Sequence, residues 1–292
     1  MKYYVKQFPM MFKKETLYRL NEKGVLLTKI PYTEDYKYSL EVISEYALKN
    51  MEDYMNIECK QRVINQVNWL VENISEDGTW KQYYKLPYYE MEMPWVDGMG
   101  QGLAISALIR AYKLTANCEY LDTAKKAFNP FQKKIKDGGN LFIDNKRKTW
   151  IEECPSDPVP HILNGFIYAL FGVYDLYKIK LHNSAGELWE KGINTLEKNI
   201  DRYDLGFWSK HNLIDEYPAE YGFHKIHIEQ LKALYKLSEV KKFKEYYKKF
   251  EEYQNSSFCK QKASIKRGFA HLKKHGLGVP KAYLRKKRWQ ND

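Results

Sequence analysis

The chain has 292 residues, 44% of them hydrophobic and 15% aromatic, and a net charge of +11. That length suits one large domain or two small ones with a real core. Its four cysteines, Cys59, Cys118, Cys154 and Cys259, stand singly with no CxxC or Cys/His cluster, which argues against a structural zinc site and for a reducing compartment. The N-terminal stretch Met1 to Phe8 has no long apolar run, so neither a signal peptide nor a transmembrane helix is expected. The expectation is a cytoplasmic protein, with a peripheral position at the inner membrane face as the alternative, and no cofactor.

Residues 1–35 are mixed, with β-leaning pieces at Tyr3–Val5 and Val25–Lys29 and a turn at Glu22-Lys-Gly24. From there helical periodicity takes over. Helices are predicted over 36–50, 57–74, 98–116, 119–135, 160–178, 182–199, 224–238 and 240–254. They pair into four hairpins with short polar turns. The longer connections repeat a Gly/Trp signature: Asp77-Gly-Thr-Trp80, then Gly138-Gly-Asn with Trp150, then Leu205-Gly-Phe-Trp208. A hairpin repeated every ~60 residues predicts a mostly α fold, an α/α barrel (toroid) of about four hairpins with a short β-leaning N-terminal segment. In such toroids the inter-hairpin loops gather at one end and build a cleft. The alternative is an ordinary helical bundle whose Gly and Trp residues cap helix ends. The expected division is an N-terminal segment 1–35, a barrel 36–255 and a basic tail 256–292.

The charge is concentrated in that tail. Residues 256–292 hold eleven Lys and Arg against one acid, Asp292, so the body is nearly neutral. A solvated appendage is the plain reading. An acidic polysaccharide or an anionic membrane surface would be a fitting partner, whereas the neutral body and the lack of nucleic-acid motifs argue against DNA or RNA. Phe258, Ile265, Phe269, Leu272, Leu277 and Tyr283 give the tail an apolar component that points to a basic amphipathic helix.

Candidate chemistry centres on residues 150–175. Trp150 and the pair Glu152-Glu153 lead through three prolines into a helix that starts with His161 and Asn164. A carboxylate held between a tryptophan and a rigid loop is a candidate for a raised pKa and proton transfer. Solvated glutamates and a capping histidine are the plain alternatives. A second constellation is Tyr203-Asp-Leu-Gly-Phe-Trp208-Ser-Lys-His211, and a third is His224-Lys-Ile-His227, whose two histidines share a helix face. No acidic ligand accompanies them, so no metal is expected. Most of the 25 tyrosines serve as core and surface; some can line a carbohydrate cleft, where a ring meets the C–H face of a sugar.

Pro94-Trp95-Val-Asp-Gly98-Met-Gly-Gln101-Gly102 with Ala104 to Tyr112, Glu152-Glu-Cys-Pro with His161 to Tyr168, and Tyr203 to Ser209 resemble, in order, the C-terminal domain of D-glucuronyl C5-epimerases. The resemblance covers roughly residues 30–255 and includes Asp77-Gly-Thr-Trp80. It implies a helical-hairpin barrel, with the family's β-rich N-terminal region represented by a short remnant, and inversion at C5 of glucuronate in heparan-type polymers. It also implies a glutamate, carried over as Glu153, working with tyrosines. At the positions where the tyrosines are expected stand Cys154, His211 and Phe223, the last beside His224. The resulting candidate set is Glu153, His211, Cys154 and His224 for proton transfer, and Trp95, Gln101, Trp150, His161, Asn164, Tyr203 and Trp208 for binding a uronate-containing glycan. Self-association as a homodimer is open. The alternatives are a glycan-binding or scaffold protein without catalysis, and a polysaccharide lyase, which shares the C5 deprotonation but expels the C4 oxygen.

Overall fold

The computed structural model describes residues 2–5, 17–29 and 35–275, with side chains to residue 269. A small antiparallel sheet comes first: β1 (Tyr18–Leu20), β2 (Leu26–Lys29) and β3 (Tyr36–Lys37), in that order. The turn at Glu22–Gly24 joins β1 to β2, with Gly24 at φ +71°. Tyr3–Val5, expected to be β-leaning, forms no strand. Its side chains go into the core instead: Tyr3 and Val5 are buried, and the Tyr4 hydroxyl donates to Asp175 at 2.6 Å.

The helices then follow in pairs. They are α1 (Leu40–Asn50) and α2 (Ile57–Asn73); α3 (Gly98–Thr115) and α4 (Cys118–Lys126); α5 (Leu163–Lys178) and α6 (Asn183–Glu197); and α7 (Tyr221–Ser238) and α8 (Lys241–Asn255). Two-stranded ribbons interrupt them, β4 (Lys81–Gln82) with β5 (Trp95–Val96), and β6 (Leu141–Ile143) with β7 (Thr149–Ile151). Asn56, Asp97 and Asn117 cap α2, α3 and α4 by accepting hydrogen bonds from first-turn amides. Each of the eight predicted helices is present. The fourth ends at Lys126 rather than 135, because Pro130 has no amide hydrogen to continue it and the chain turns 3-10 at Asn129–Gln132. The first starts late because Tyr36 and Lys37 pair with β2.

Helix composition decides position. All residues from Gly98 to Ala111 in α3, and from Leu163 to Val173 in α5, are buried. A helix apolar on every face must lie inside. In α2 only Val63, Gln66, Val67 and Leu70 are buried, and in α8 only Phe243, Tyr246 and Phe250, so these helices face water on one side. The odd helices α1, α3, α5 and α7 pack in sequence as an inner row, each with its partner outside it. This is an α/α toroid of helical hairpins. Gly102 and Gly172 let α3 and α5 touch backbone to backbone: a Cβ on residue 102 would lie 2.5 Å from the Ala169 Cα.

The inner helices share a polarity, so the residues preceding α1, α3, α5 and α7 gather at one end. Towards the other end Arg110 of α3 pairs with Asp175 of α5 at 2.5 Å and lies 4.9 Å from the ring centres of both Tyr3 and Tyr4. Tyr3 and Tyr4 thus pack on α3 and α5 around this ion pair.

The stretch expected as a basic tail begins with a further helix, α9 (Ser257–His275), packed against α8. Residues 276–292, with Leu277 and Tyr283, lie outside the described residues. No helix among the described residues is long and apolar enough to cross a membrane.

Candidate active site

Backbone pairing brings the motif loops together. The Glu153 carbonyl accepts from the Gly98 amide at 3.2 Å, and the Asn140 side chain donates to the carbonyls of Val96 and Glu152, pinning the carboxylate pair to the start of α3. The His211 carbonyl accepts from Leu163 at 2.9 Å, and the Pro160 carbonyl from Leu213 at 2.8 Å, joining the 210–213 loop to the start of α5.

The two adjacent glutamates have different work. Glu152 is 1% exposed, and both its oxygens are engaged by His161: Oε2 accepts from the backbone amide at 3.0 Å and Oε1 lies 2.5 Å from Nδ1. His161 sits in the left-handed region at φ +49°, a conformation that costs about 1–3 kcal/mol for a residue with a Cβ. It is held there by Glu152, by stacking on Trp150 at 4.3 Å, and by the Tyr203 hydroxyl, which donates to its carbonyl at 2.6 Å. Trp150, Glu152, His161 and Tyr203 therefore form one connected unit.

Glu153 is the freer carboxylate. Its Oε2 is buried without a hydrogen-bond partner, and its side chain lies against Gly165, where a Cβ would come within 2.0 Å of that oxygen. Burial, and then the charges of Asp97, Glu41 and Glu152, push it well above the usual carboxylate range. Burial also pushes up Glu45 strongly, with the charges of Glu41 and Asp97, and Glu41 to about 8, with the charge of Asp97. Burial raises Asp97 to about 6 against the backbone hydrogen bonds it accepts, so Asp97 is mostly ionised at neutral pH, whereas Glu41, Glu45 and Glu153 favour their protonated form, in which each can donate a hydrogen bond.

Three positions read as departures from the family tyrosines meet around one residue that sequence reasoning passed over, Tyr89. Cys154 is fully buried in an apolar cluster with Tyr89, Met91, Trp95 and Ile162. Burial and the Glu153 charge push its thiol up, so it is not a thiolate at neutral pH. The Tyr89 hydroxyl lies 3.3 Å from His211 Nδ1 and accepts from Asn212 at 3.3 Å, and the Phe223 ring packs on His211 at 4.6 Å. Tyr89 is 9% exposed, and Glu153 is the largest charge acting on it. The neighbouring Tyr88 hydroxyl donates to Asp215 and lies 3.3 Å from the Tyr217 hydroxyl, tying the 83–96 loop to the 210–218 loop. No periodicity marks Tyr88 and Tyr89; the one local signal is an aromatic pair after Pro87 shortly before the Trp95 motif.

The other candidates sit around this centre. Trp95 is in the Tyr89 cluster and donates from Nε1 to the Tyr84 carbonyl at 2.8 Å. Asn164 donates to Met99 Sδ at 3.5 Å, and its Oδ1 is buried without a partner. His227 is buried beside Ser209 with its Nε2 unpartnered. Gln101 lies elsewhere: its Oε1 accepts from Trp80 and its Nε2 donates to the carbonyls of Gly78 and Ala127, so all its polar capacity ties the Asp77–Trp80 loop to the end of α4. His224 is enclosed too. Its Nε2 donates to the Phe250 carbonyl at 3.0 Å, its Nδ1 accepts from Ser209, and its ring stacks on Trp208 at 3.7 Å. Burial lowers it to about 4, so it is neutral at physiological pH. Trp208 donates to the Ala219 carbonyl and is covered by α9 through Ala263. A depression of about 830 Å³ between the β1–β2 hairpin and α2 borders none of these residues. Among the described residues no group of three or more His, Cys, Asp or Glu is arranged to hold a metal ion.

Comparison with known proteins gives the same family as the motifs. The model of the D-glucuronyl C5-epimerase C-terminus matches residues 72–252. A D-glucuronyl C5-epimerase of Caenorhabditis elegans is 31% identical over 189 residues, 56% of this chain and 30% of that protein. An uncharacterized protein of Methanocaldococcus jannaschii is 28% identical over 176 residues, 59% of this chain and 57% of that protein. The match thus spans less than two thirds of either relative. Among solved structures, a GH76 α-mannanase of Bacteroides thetaiotaomicron superimposes with a TM-score of 0.53 at 10% identity, over 84% of this chain and 64% of that one, which shows a shared fold.

Proposed function

Because this chain belongs to the D-glucuronyl C5-epimerase C-terminal family, we propose that it inverts C5 of glucuronate units in an acidic polysaccharide, by proton abstraction on one face and proton return on the other. One observation carries the reading: a buried carboxyl with an unpartnered oxygen, Glu153, immediately precedes Cys154, which packs in one cluster with a tyrosine, Tyr89, whose hydroxyl meets a histidine. The C5 hydrogen lies next to a carboxylate, so its removal builds a dianionic enediolate that needs hydrogen-bond donors around it. The Tyr89 oxygen takes the C5 proton while its own passes to His211 Nδ1. Glu153, protonated through burial, delivers a proton to the opposite face of C5. The net transfer runs from Glu153 to His211, and solvent resets both. Protonated Glu41 serves as a donor to the substrate carboxylate, which helps an acidic sugar to be tolerated near these carboxyl groups. Trp95, Asn164, Trp150 and His161 shape the glycan site, while Tyr203, Trp208, Gln101 and His224 hold its loops.

The experiment is incorporation of solvent deuterium at C5 across a panel of glucuronate-containing polymers and oligosaccharides. The wild-type protein is expected to exchange. Glu153→Gln and Tyr89→Phe are each expected to lower the rate by roughly 100-fold or more, the scale of lost acid/base catalysis. An ultraviolet-absorbing unsaturated product would show a lyase instead. Saturable binding with no exchange on any substrate would overturn catalysis in favour of a glycan-binding homologue.

A further inference from the structure

Helix α9 presents a second surface unrelated to the candidate active site. Its inner face is accounted for. Ala263 packs on Phe207 and Trp208, with Cys259 and Tyr253 alongside, and Arg267 donates to the Ala219 carbonyl at 3.4 Å. Its outer face is not. Phe258, Ile265 and Phe269 are 71%, 60% and 69% exposed. At spacings of seven and four they fall on one stripe of the helix. Single exposed apolar side chains are ordinary, but three large ones aligned on one face mark an interaction site.

The stripe is bordered on one side by exposed Lys262 and Lys266, whereas exposed Lys260, two residues after Phe258, projects from nearly the opposite side of the helix. Lys262 leans over Phe207 at 4.5 Å and lies 5.9 Å from the Phe258 ring centre. None of these lysines has an ion-pair partner among the described residues, and no acidic residue occurs from Ser256 to His275. An apolar stripe edged with lysine is how a helix lies in the interface of an anionic bilayer. Charge discriminates among occupants. The chain's own last residues carry Lys281 and a run from Arg285 to Arg288, so they are repelled by α9. A second copy docking α9 on α9 would be repelled too. A soluble polyanion would satisfy the lysines but leave the Phe258–Ile265–Phe269 stripe in water.

We propose that α9 docks this protein on an anionic lipid surface, with Phe258, Ile265 and Phe269 entering the headgroup–acyl boundary and Lys262 and Lys266 contacting anionic headgroups. The helix lies flat and does not span. Since α9 also covers the Phe207–Trp208 loop, docking sets the candidate active site at a fixed side of the membrane surface.

The test uses the full chain and sedimentation with phosphatidylcholine vesicles, with and without 30% phosphatidylglycerol. Binding is expected only to the anionic vesicles and is expected to weaken with salt, since screening acts over about 8 Å at 0.15 M ionic strength. Phe258→Ser, Ile265→Ser and Phe269→Ser together should lower vesicle affinity at least tenfold while leaving retention on immobilised glucuronate polymer unchanged. Lys262→Glu and Lys266→Glu together should lower vesicle affinity roughly 25-fold, at about fivefold per lysine near an anionic surface. All five side chains are exposed, and unchanged melting temperatures would confirm that the variants fold. Wild-type affinity of the triple serine variant for anionic vesicles would overturn the proposal, as would equal binding to neutral vesicles. So would loss of self-association as the only change in the serine variant, which would assign the stripe to a second copy.

Discussion

At the scale of single residues, polar side chains in the motif loops divide into those that face the candidate site and those that hold the loops around it. Gln101 belongs to the second group. Gln101→Ala would strand the Trp80 amide and the Gly78 and Ala127 carbonyls, each a buried group costing about 1–3 kcal/mol when unpaired. Urea unfolding should show a loss of about 3 kcal/mol or more. Glu153 should behave in the opposite way. Its carboxyl is buried and pushed up, so its ionised form is disfavoured in the fold. Glu153→Gln removes that liability, and its melting temperature at pH 8 is expected to exceed wild type even as C5 exchange falls. A residue kept at the expense of stability is the signature of function rather than packing. From the motifs alone Gln101 and Glu153 looked alike, because loop-fixing and chemistry both call for polar residues at loop–helix junctions.

At the scale of elements, the α3–α5 contact is the least forgiving part of the fold. Gly102→Ala would press a methyl group into the Ala169 backbone, with no flexible side chain to give way. Forcing the two innermost helices apart should cost about 3 kcal/mol or more, read as a fall in the urea midpoint. Gly222, in the first turn of α7, makes the contrast: a Cβ there meets nothing within 4 Å. Gly222→Ala is expected to stabilise by a few tenths to about 1 kcal/mol through helix propensity. The helices themselves were legible. Apolar periodicity located all eight hairpin helices, and the structure buries α3 and α5 on nearly every face while α2 and α8 are buried on one side. Their ends were less legible, because Pro130 and the β2–β3 pairing trim helices whose periodicity continues past them.

At the scale of the whole molecule, stability should carry opposed pH dependences. Glu41, Glu45, Asp97 and Glu153 bind protons more tightly folded than unfolded. Their contribution is complete below the unfolded carboxylate range near pH 4–4.5 and is lost as pH rises, through about 8 for Glu41. His224 and His227 are the reverse, with folded values below the unfolded one near 6.5. Their contribution is present above pH 6.5 and is lost as pH falls, through about 4 for His224. Above about pH 4.5 the four carboxyl groups outweigh the two histidines, so melting temperatures should fall as pH rises towards 9, with the histidines softening the decline below pH 6.5. Glu45→Gln should flatten the decline between pH 5 and 8. An unchanged alkaline limb in that variant would remove the carboxyl cluster as its origin.

The sequence by itself determined the mostly helical hairpin architecture, the family and the segregation of positive charge into the last part of the chain, because periodicity, ordered motifs and charge counts are one-dimensional properties. It also drew attention to the Glu152–Glu153 pair between a tryptophan and a proline, and the family resemblance singled out Glu153 within it. Only the tertiary structure decided that Glu152 is consumed by His161, that His224 is walled in by Phe250, Ser209 and Trp208, that Cys154 and His211 meet Tyr89, and that Phe223 backs His211. Tyr89 and His211 are 122 positions apart, and their meeting depends on two loops being brought to the starts of α3 and α5 by packing of the inner helices. Local sequence patterns carry no record of that distance. The outward face of α9 was likewise decided by packing: alignment of Phe258, Ile265 and Phe269 is helical arithmetic, but only the structure shows that the side carrying Ala263 is the one packed on Phe207 and Trp208.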